Sequence, residues 1–291
     1  INFYLIDGSG DVPQKRTRPL LAGLPIATQG NKPWDGGHLV VKRDDYAEVA
    51  ADRIARQYLR KYFGARELLH NEDRWCLWLK DAPPSDLRSS DIIRKRLAEV
   101  RKVRLASKTA RTREKAKTPY LFSEIRQPVG QFIAFPQTSS SDREYVPAAL
   151  LEPEVVPSNA LYVWSDAPLW LFGYLQSAAF MAWIRVFSGR LKNDFQIAPD
   201  LVYSTFPFIE PTGARLTKLE AATQAMMDAR ASHPDQSLAD LYARDAMPED
   251  LRVAHRAIDR VVDALYGFRK VPTEGERMGA LYSTFERLSN P

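Results

Sequence analysis

The stretch Pro168–Gln196, PLWLFGYLQSAAFMAWIRVFSGRLKNDFQ, opens with twenty largely apolar residues and then turns abruptly polar. The apolar part has about the length needed to cross a bilayer. Gln176, Ser177 and Arg185 interrupt it, however, and no second span follows. The pattern therefore predicts one long central helix buried in protein rather than in lipid. Ser165 or Asp166 ahead of Pro168 would start it, and Gly189 would stop it. Beyond Gly189 the rhythm becomes alternation, with Lys192, Asp194 and Gln196 separated by Asn193 and Phe195. In an extended strand, residues two apart face the same side, so the three polar side chains would form one comb. Their chemistry suits base edges: lysine donates to guanine O6/N7, aspartate accepts from cytosine N4, and glutamine grips adenine N6/N7. The plain alternative is an exposed strand carrying a weak surface ion pair. Spacing alone leaves both open.

At 291 residues, 45% hydrophobic and 26% charged, the chain has the composition of a globular protein of one or two domains. The single cysteine, Cys76, excludes a disulfide framework and a thiolate zinc cluster, and it fits a reducing, cytoplasmic setting. The four histidines show no ligand spacing, so no metal site is expected. The first residues, Ile1-Asn2-Phe3, read at once as strand without a methionine or a leader, as in a piece of a longer polypeptide. Net charge is +5 but uneven: residues 1–210 hold 30 Lys/Arg against 24 Asp/Glu, and residues 211–291 hold 11 against 12. Residues 91–118 alone carry eleven basic and three acidic side chains, so a phosphate-bearing partner would bind there.

Outward from the central stretch, the chain reads as α+β. Phe3–Ile6 is a short strand, and Asp7–Asp11 is a turn that lacks the closing glutamate of a calcium loop. Gln29–Gly37 is an ordered loop around Trp34, and Asp44–Phe63 has helical spacing. Trp75–Leu79 suits a central strand. Asp91–Leu105 is an amphipathic helix with Ile93, Leu97, Val100 and Val103 inward and basic residues outward. It continues into the basic stretch 106–118, either as helix or as a mobile strap. Phe132–Phe135, Tyr145–Val146, Leu161–Trp164 and Leu201–Tyr203 look like further strands. From residue 211 only helices follow, with stripes Leu216, Leu219, Ala222, Met226, Ala229 and Leu251, Ala254, Ile258, Val261, Leu265. Pro248 and Gly267 bound the second stripe, and Thr273-x-x-Glu276 is a capping box. The expectation is a mixed-sheet recognition domain with a long buried helix, followed by a small all-α domain.

No catalytic engine is visible. GxGxxG, a P-loop and HExxH are missing, as is the Asn/Asp-Pro-Pro-aromatic tetrapeptide with which an amino-methyltransferase holds a flipped base. The fragment reads as a binder, with no catalytic, cofactor or metal residues of its own.

Several longer words occur in fixed order: Gly30-Asn31-Lys32-Pro33-Trp34-Asp35-Gly36-Gly37, Phe63-Gly64-Ala65-Arg66-Glu67, Arg74-Trp75-Cys76-Leu77-Trp78-Leu79, Arg104-Leu105-Ala106-Ser107 and Gly189-Arg190-Leu191-Lys192. Together with Leu238–Tyr242 and the terminal helices, they make essentially the whole chain resemble the C-terminal half of MmeI-like proteins. These are single-chain type IIL restriction-modification enzymes that join a nuclease, an adenine-N6 methyltransferase and a target-recognition domain. The resemblance implies that residues 1–40 are the tail of the methyltransferase part, 41–210 the DNA target-recognition domain and 211–291 a C-terminal helical domain. S-adenosylmethionine, and Mg for cleavage, would belong to the parent protein and not to this fragment. Double-stranded DNA and the methyltransferase domain of the same polypeptide are the implied partners, with no membrane.

By the same resemblance, base readout falls to Lys192 and Asp194, with Gln196 two further on, and then to Asn159, Ala160 and Gln137. Relatives often have Tyr-Arg-Tyr-Ser where this chain has Phe195-Gln196-Ile197-Ala198, so a relative's base preference does not transfer there. Lys192 and Asp194 would specify one G·C pair, and Ala160 would permit a degenerate position or touch a thymine methyl. Arg190, Arg111, Arg113, Ser139, Ser140 and Arg143 are candidates for backbone phosphates, which fix register without reading sequence. Two other classes remain open on the residues alone: a protein-interaction scaffold with a basic face, and a self-contained enzyme with an unfamiliar site.

Overall fold

The structure, a computed structural model, describes residues 12–289, so the Phe3–Ile6 strand and the Asp7–Asp11 turn lie outside the described residues. The chain forms two compact units. One comprises residues 28–131 and 151–163, and the other comprises 132–150 and 164–289 with the segment before residue 28. These divisions of compactness do not follow the order of the sequence, because each unit is assembled from separate stretches.

In the first unit, Trp75–Leu77 lies between Val40–Val41 and Leu59–Phe63, antiparallel to both, and Val156–Pro157 adds a parallel edge to Leu59–Phe63. Cys76 and Leu77 are fully buried, as a central strand requires. The expected 44–63 helix stops early. It runs only Arg43–Ala51, because the Asp52 carboxylate accepts the Ile54 and Ala55 N–H groups, each at 2.9 Å. A single 3-10 turn follows, and Leu59–Phe63 then pairs in the sheet. The helix Asp91–Leu105 forms as expected, capped by Ser90, whose hydroxyl accepts from Ile93 N at 3.1 Å.

The inner face of that helix is not wholly apolar. Ile93 and Val100 are buried, Val103 is exposed, and Arg104, one helical step past Val100, is fully buried. Its guanidinium donates to five carbonyls: Pro33 and Leu121 at 2.8 Å, and Trp34, Lys115 and Thr118 at 3.0 Å. All five N–H donors are thereby used. One residue thus ties the Gly30–Gly37 loop to the basic stretch. That stretch is a short helix, Ala110–Glu114, and one 3-10 turn, Lys115–Lys117.

In the second unit the long apolar stretch is two helices, Leu169–Leu175 and Ala178–Phe187, and not one. Its polar pair makes the break. Ser177 caps the second helix by accepting from Phe180 N, and Asp259 accepts from Ala178 N at 2.6 Å. The buried Gln176 donates to Val146 O and accepts from Arg230 at 2.5 Å. Arg230 also donates to Tyr242 Oη and to Ala148 O. Tyr242 Oη lies 2.6 Å from His255 Nε2, and His255 Nδ1 lies 3.0 Å from Gln176 O. With its oxygen facing Arg230, Tyr242 gives its proton to Nε2, so neutral His255 donates from Nδ1 to Gln176.

Phe132–Pro136 and Leu161–Ser165 are strands as expected. Tyr145–Val146 and Leu201–Tyr203 are not: all but the half-buried Leu201 are buried, but they lie in bends and turns held by bonds such as Ser204 N to Pro199 O at 2.8 Å. After residue 211 only helices occur, at Gly213–Ala231, Leu238–Leu241, Glu249–Leu265 and Glu274–Ser289. The Thr273/Glu276 capping box forms in both directions. Among the described residues no helix is long and apolar enough to cross a membrane.

Arg104→Met should lower unfolding free energy by about 3 kcal/mol, read by urea denaturation, because five carbonyls lose the guanidinium and only those of Pro33, Lys115 and Thr118 keep a backbone donor. A second test uses pH. Burial drives the His255 pKa from 6.5 to about 3 and raises that of Asp259 from 3.8 to about 6. The unfolded chain binds the histidine proton first on acidification, so this residue costs stability as pH falls from 6.5. The folded chain holds the aspartate proton longer, so Asp259 costs stability as pH rises from about 4 to 6. The two trends oppose each other between pH 6 and 4. Over that interval Asp259→Asn should lose stability relative to wild type, and His255→Gln should gain it, each by up to about 1.4 kcal/mol per pH unit.

Candidate nucleic-acid interface

The polar run after the apolar helices is a hairpin and not a single strand. Gly189–Leu191 pairs antiparallel with Asp194–Gln196, and Lys192 and Asn193 form the two-residue turn. Lys192 has φ of +56° while Asn193 is not in the positive region, as a turn with a left-handed first position requires. A non-glycine residue there costs about 1 kcal/mol or more. The turn therefore removes Lys192 from the expected three-residue comb, leaving only Asp194 and Gln196 on a common strand face.

That face is open. Asp194 and Gln196 are exposed, and between them Phe195 points inward at 2% exposure. Cross-strand pairing sets Leu191, itself 54% exposed, opposite Asp194, and Gly189 opposite Gln196. Arg190 pairs with Phe195 and lays its guanidinium 4.0 Å above that ring, which anchors the hairpin from its other face. The hairpin is also pinned to Thr138–Ser139, with Phe195 opposite Ser139 and Gln196 opposite Thr138. Gln137 O accepts from Ile197 N at 2.9 Å. Gln137 is half-buried beside this edge.

Ser139 does not fit its expected phosphate role. It is 2% exposed and its hydroxyl is enclosed, because its strand register turns it to the Phe195 side. Ser140 and Arg143 are half-buried in the turn that follows, and Arg143 N donates to Ser140 O at 3.4 Å. The hairpin thus collects Lys192, Asp194, Gln196, Arg190, Gln137, Ser140 and Arg143 into one neighbourhood of the second unit.

The remaining candidates belong to the first unit. Asn159 and Ala160 form a tight turn between Val156–Pro157 and Leu161–Ser165, with Ala160 exposed and Asn159 half-buried. Asn159 N donates to Asn31 O at 3.0 Å, and Ala160 N to Ser158 Oγ at 3.3 Å. Gly30 is needed for this approach: a Cβ there would sit 2.4 Å from Ser158 O. The buried Asn31 side chain completes the support, donating to Gln127 and Pro157 and accepting from Arg126 N. Arg111 is exposed on the 110–114 helix, and Arg113 donates to the Ser107 and Lys108 carbonyls at 2.9 Å each. Arg101, Arg113, Lys117 and Glu114, with Leu105 and Pro119, line an open groove of about 910 Å³.

The open hairpin face lies in the second unit, and the glycine-supported turn and the groove lie in the first. Residues 8–210 match the family described as MmeI, target recognition domain, and residues 212–291 match MmeI, C-terminal domain. The chain belongs to the MmeI family and carries these two domains. It is 31% identical over 291 residues to DNA methyltransferase A of Bacillus subtilis (strain 168), a match covering 99% of this chain and 33% of that protein. It superposes with a TM-score of 0.94 and 34% identity on the type IIL restriction-modification enzyme MmeI in complex with DNA, over 100% of this chain and 39% of that one. The chain thus spans between a third and two-fifths of these relatives.

The sequence reading missed the structural use of Arg104. Its spacing from Ile93 and Val100 on the apolar stripe was the available signal. It also gave no hint that Arg143 neighbours Asp194, since the two are far apart in the chain and only strand register unites them.

Proposed function

We propose that this chain is the sequence-specific duplex DNA recognition part of an MmeI-like adenine-N6 DNA methyltransferase and restriction enzyme. In this reading residues 41–210 read the target, 211–291 brace them, and 1–40 carry the chain over from the methyltransferase part. S-adenosylmethionine, and Mg for cleavage, are bound by the remainder of the parent. The observation that carries the reading is the open face of the 189–196 hairpin, where a carboxylate and an amide two residues apart face solvent from a rigid, doubly paired edge. Lys192 and Asp194 specify one G·C pair, the lysine donating to guanine and the aspartate accepting from the cytosine amine, and Gln196 engages an adenine. Asn159 and Ala160 present a second short reading turn. Arg111, with Arg113 and Arg190, takes phosphates and sets register.

The chain should bind duplex DNA with affinity that falls steeply as salt rises, the slope in a log–log plot being about −0.9 for each phosphate neutralised. In duplexes selected from a random pool, Asp194→Ala should relax preference at one base pair, by about 1–3 kcal/mol, and leave the others in place. A uniform loss at every position would remove the hairpin's reading role.

A further inference from the structure

We propose that Trp34 inserts at one base step of the bound duplex, its indole stacking on a base beside the Asn159–Ala160 turn while Lys32 takes an adjoining phosphate. This rests on the recognition reading above and adds a contact that is indifferent to sequence. Trp34 is 51% exposed, whereas Trp78, Trp164, Trp170 and Trp183 are buried. Its φ of +46° is a left-handed conformation that a bulky residue adopts only where its surroundings impose it.

The surroundings do so on both sides. Arg104 holds the Pro33 and Trp34 carbonyls, and the buried Asp35 carboxylate accepts from the N–H groups of Gly37 and Leu39. The main chain is therefore fixed at the very residue whose ring is left in solvent. A fold that needed only a turn here would place glycine or asparagine at that position. A large apolar ring, half exposed on a strained and pinned backbone, serves contact with another molecule and not packing.

Two observations make that molecule a nucleic acid. Lys32 sets its ammonium 4.9 Å above the Trp34 ring and forms no ion pair with any described residue. An apolar protein surface closing over the ring would bury that charge without a partner. A nucleotide gives the ring a base and the ammonium a phosphate oxygen. The other observation is position. The carbonyl of Asn31, next to Lys32, accepts from Asn159 N at 3.0 Å. Trp34 is three residues further on, a reach of no more than about 11 Å. Ring, ammonium and turn thus share one neighbourhood of the first unit. A base inside a duplex offers its face only where a step opens, so the indole acts there as a wedge.

The test titrates the 291-residue chain into duplexes carrying its selected site, with 2-aminopurine placed singly at successive positions. In wild type the probe's fluorescence should change at one step and stay level elsewhere. Trp34→Gly, relieved of the left-handed strain, should unfold at no lower urea concentration than wild type. It should nevertheless lose the probe response and bind about five- to hundredfold more weakly. Trp34→Phe keeps an aromatic face and should retain the response and most of the affinity. Lys32→Gln should keep the response and reduce the log–log salt slope by about 0.9. No responding step in wild type, unchanged binding and response in Trp34→Gly, or a lowered urea midpoint accompanying its loss of affinity overturns the stacking role alone. A wild-type chain that selects no sequence overturns the recognition reading itself.

Discussion

A guanidinium removed from water must find acceptors for its N–H groups, and this requirement organises both units of the protein. Arg104 meets it with five carbonyls drawn from two loops and the end of a turn. The carbonyls of Pro33, Lys115 and Thr118 also accept a backbone N–H, whereas those of Trp34 and Leu121 take their donor from the arginine. The Gly30–Gly37 loop therefore owes its course to a side chain seventy positions away. That loop in turn supports the Asn159–Ala160 turn through Asn31. A packing arginine thus stands one step behind a candidate reading element.

Arg230 plays the corresponding part in the other unit. It reaches across to Gln176, at the break between the two apolar helices, and to Tyr242, which orients His255. The break lets the chain change direction while keeping its polar groups satisfied, and Asp259 at the start of the second helix faces the positive end of that helix. Tyr145 closes the arrangement, stacking on His255 at 4.0 Å and donating to Asp259 at 2.7 Å. Such a network is stringent, because every member depends on its neighbours for a partner. It binds the C-terminal helices to the apolar pair firmly enough that residues 164–289 form part of one compact unit.

The 189–196 hairpin is held by contacts of its own: Phe195 is buried beneath Arg190, and the edge is paired on both sides. Strain at Lys192 is tolerated because these contacts over-determine the turn.

Amino-acid order by itself determined the class of fold, the central strand at 75–77, the amphipathic 91–105 helix, the helical character beyond 211 and the capping box at Thr273. These features rest on local propensity and on periodicities that a short window contains. It also marked the neighbourhood of the 189–196 hairpin, through alternation and a family word. Tertiary structure decided the rest. The strand at 59–63 replaced the end of a helix because Asp52 and a sheet partner outweighed helical spacing. The single apolar helix became two because Ser177 caps the second one locally while Gln176 and the Ala178 N–H found partners about fifty to eighty residues away. Ser139 turned inward and Lys192 left the comb because a two-residue turn and one strand register fix which side every residue faces. Register is set by long-range pairing, and no local pattern of side chains contains it.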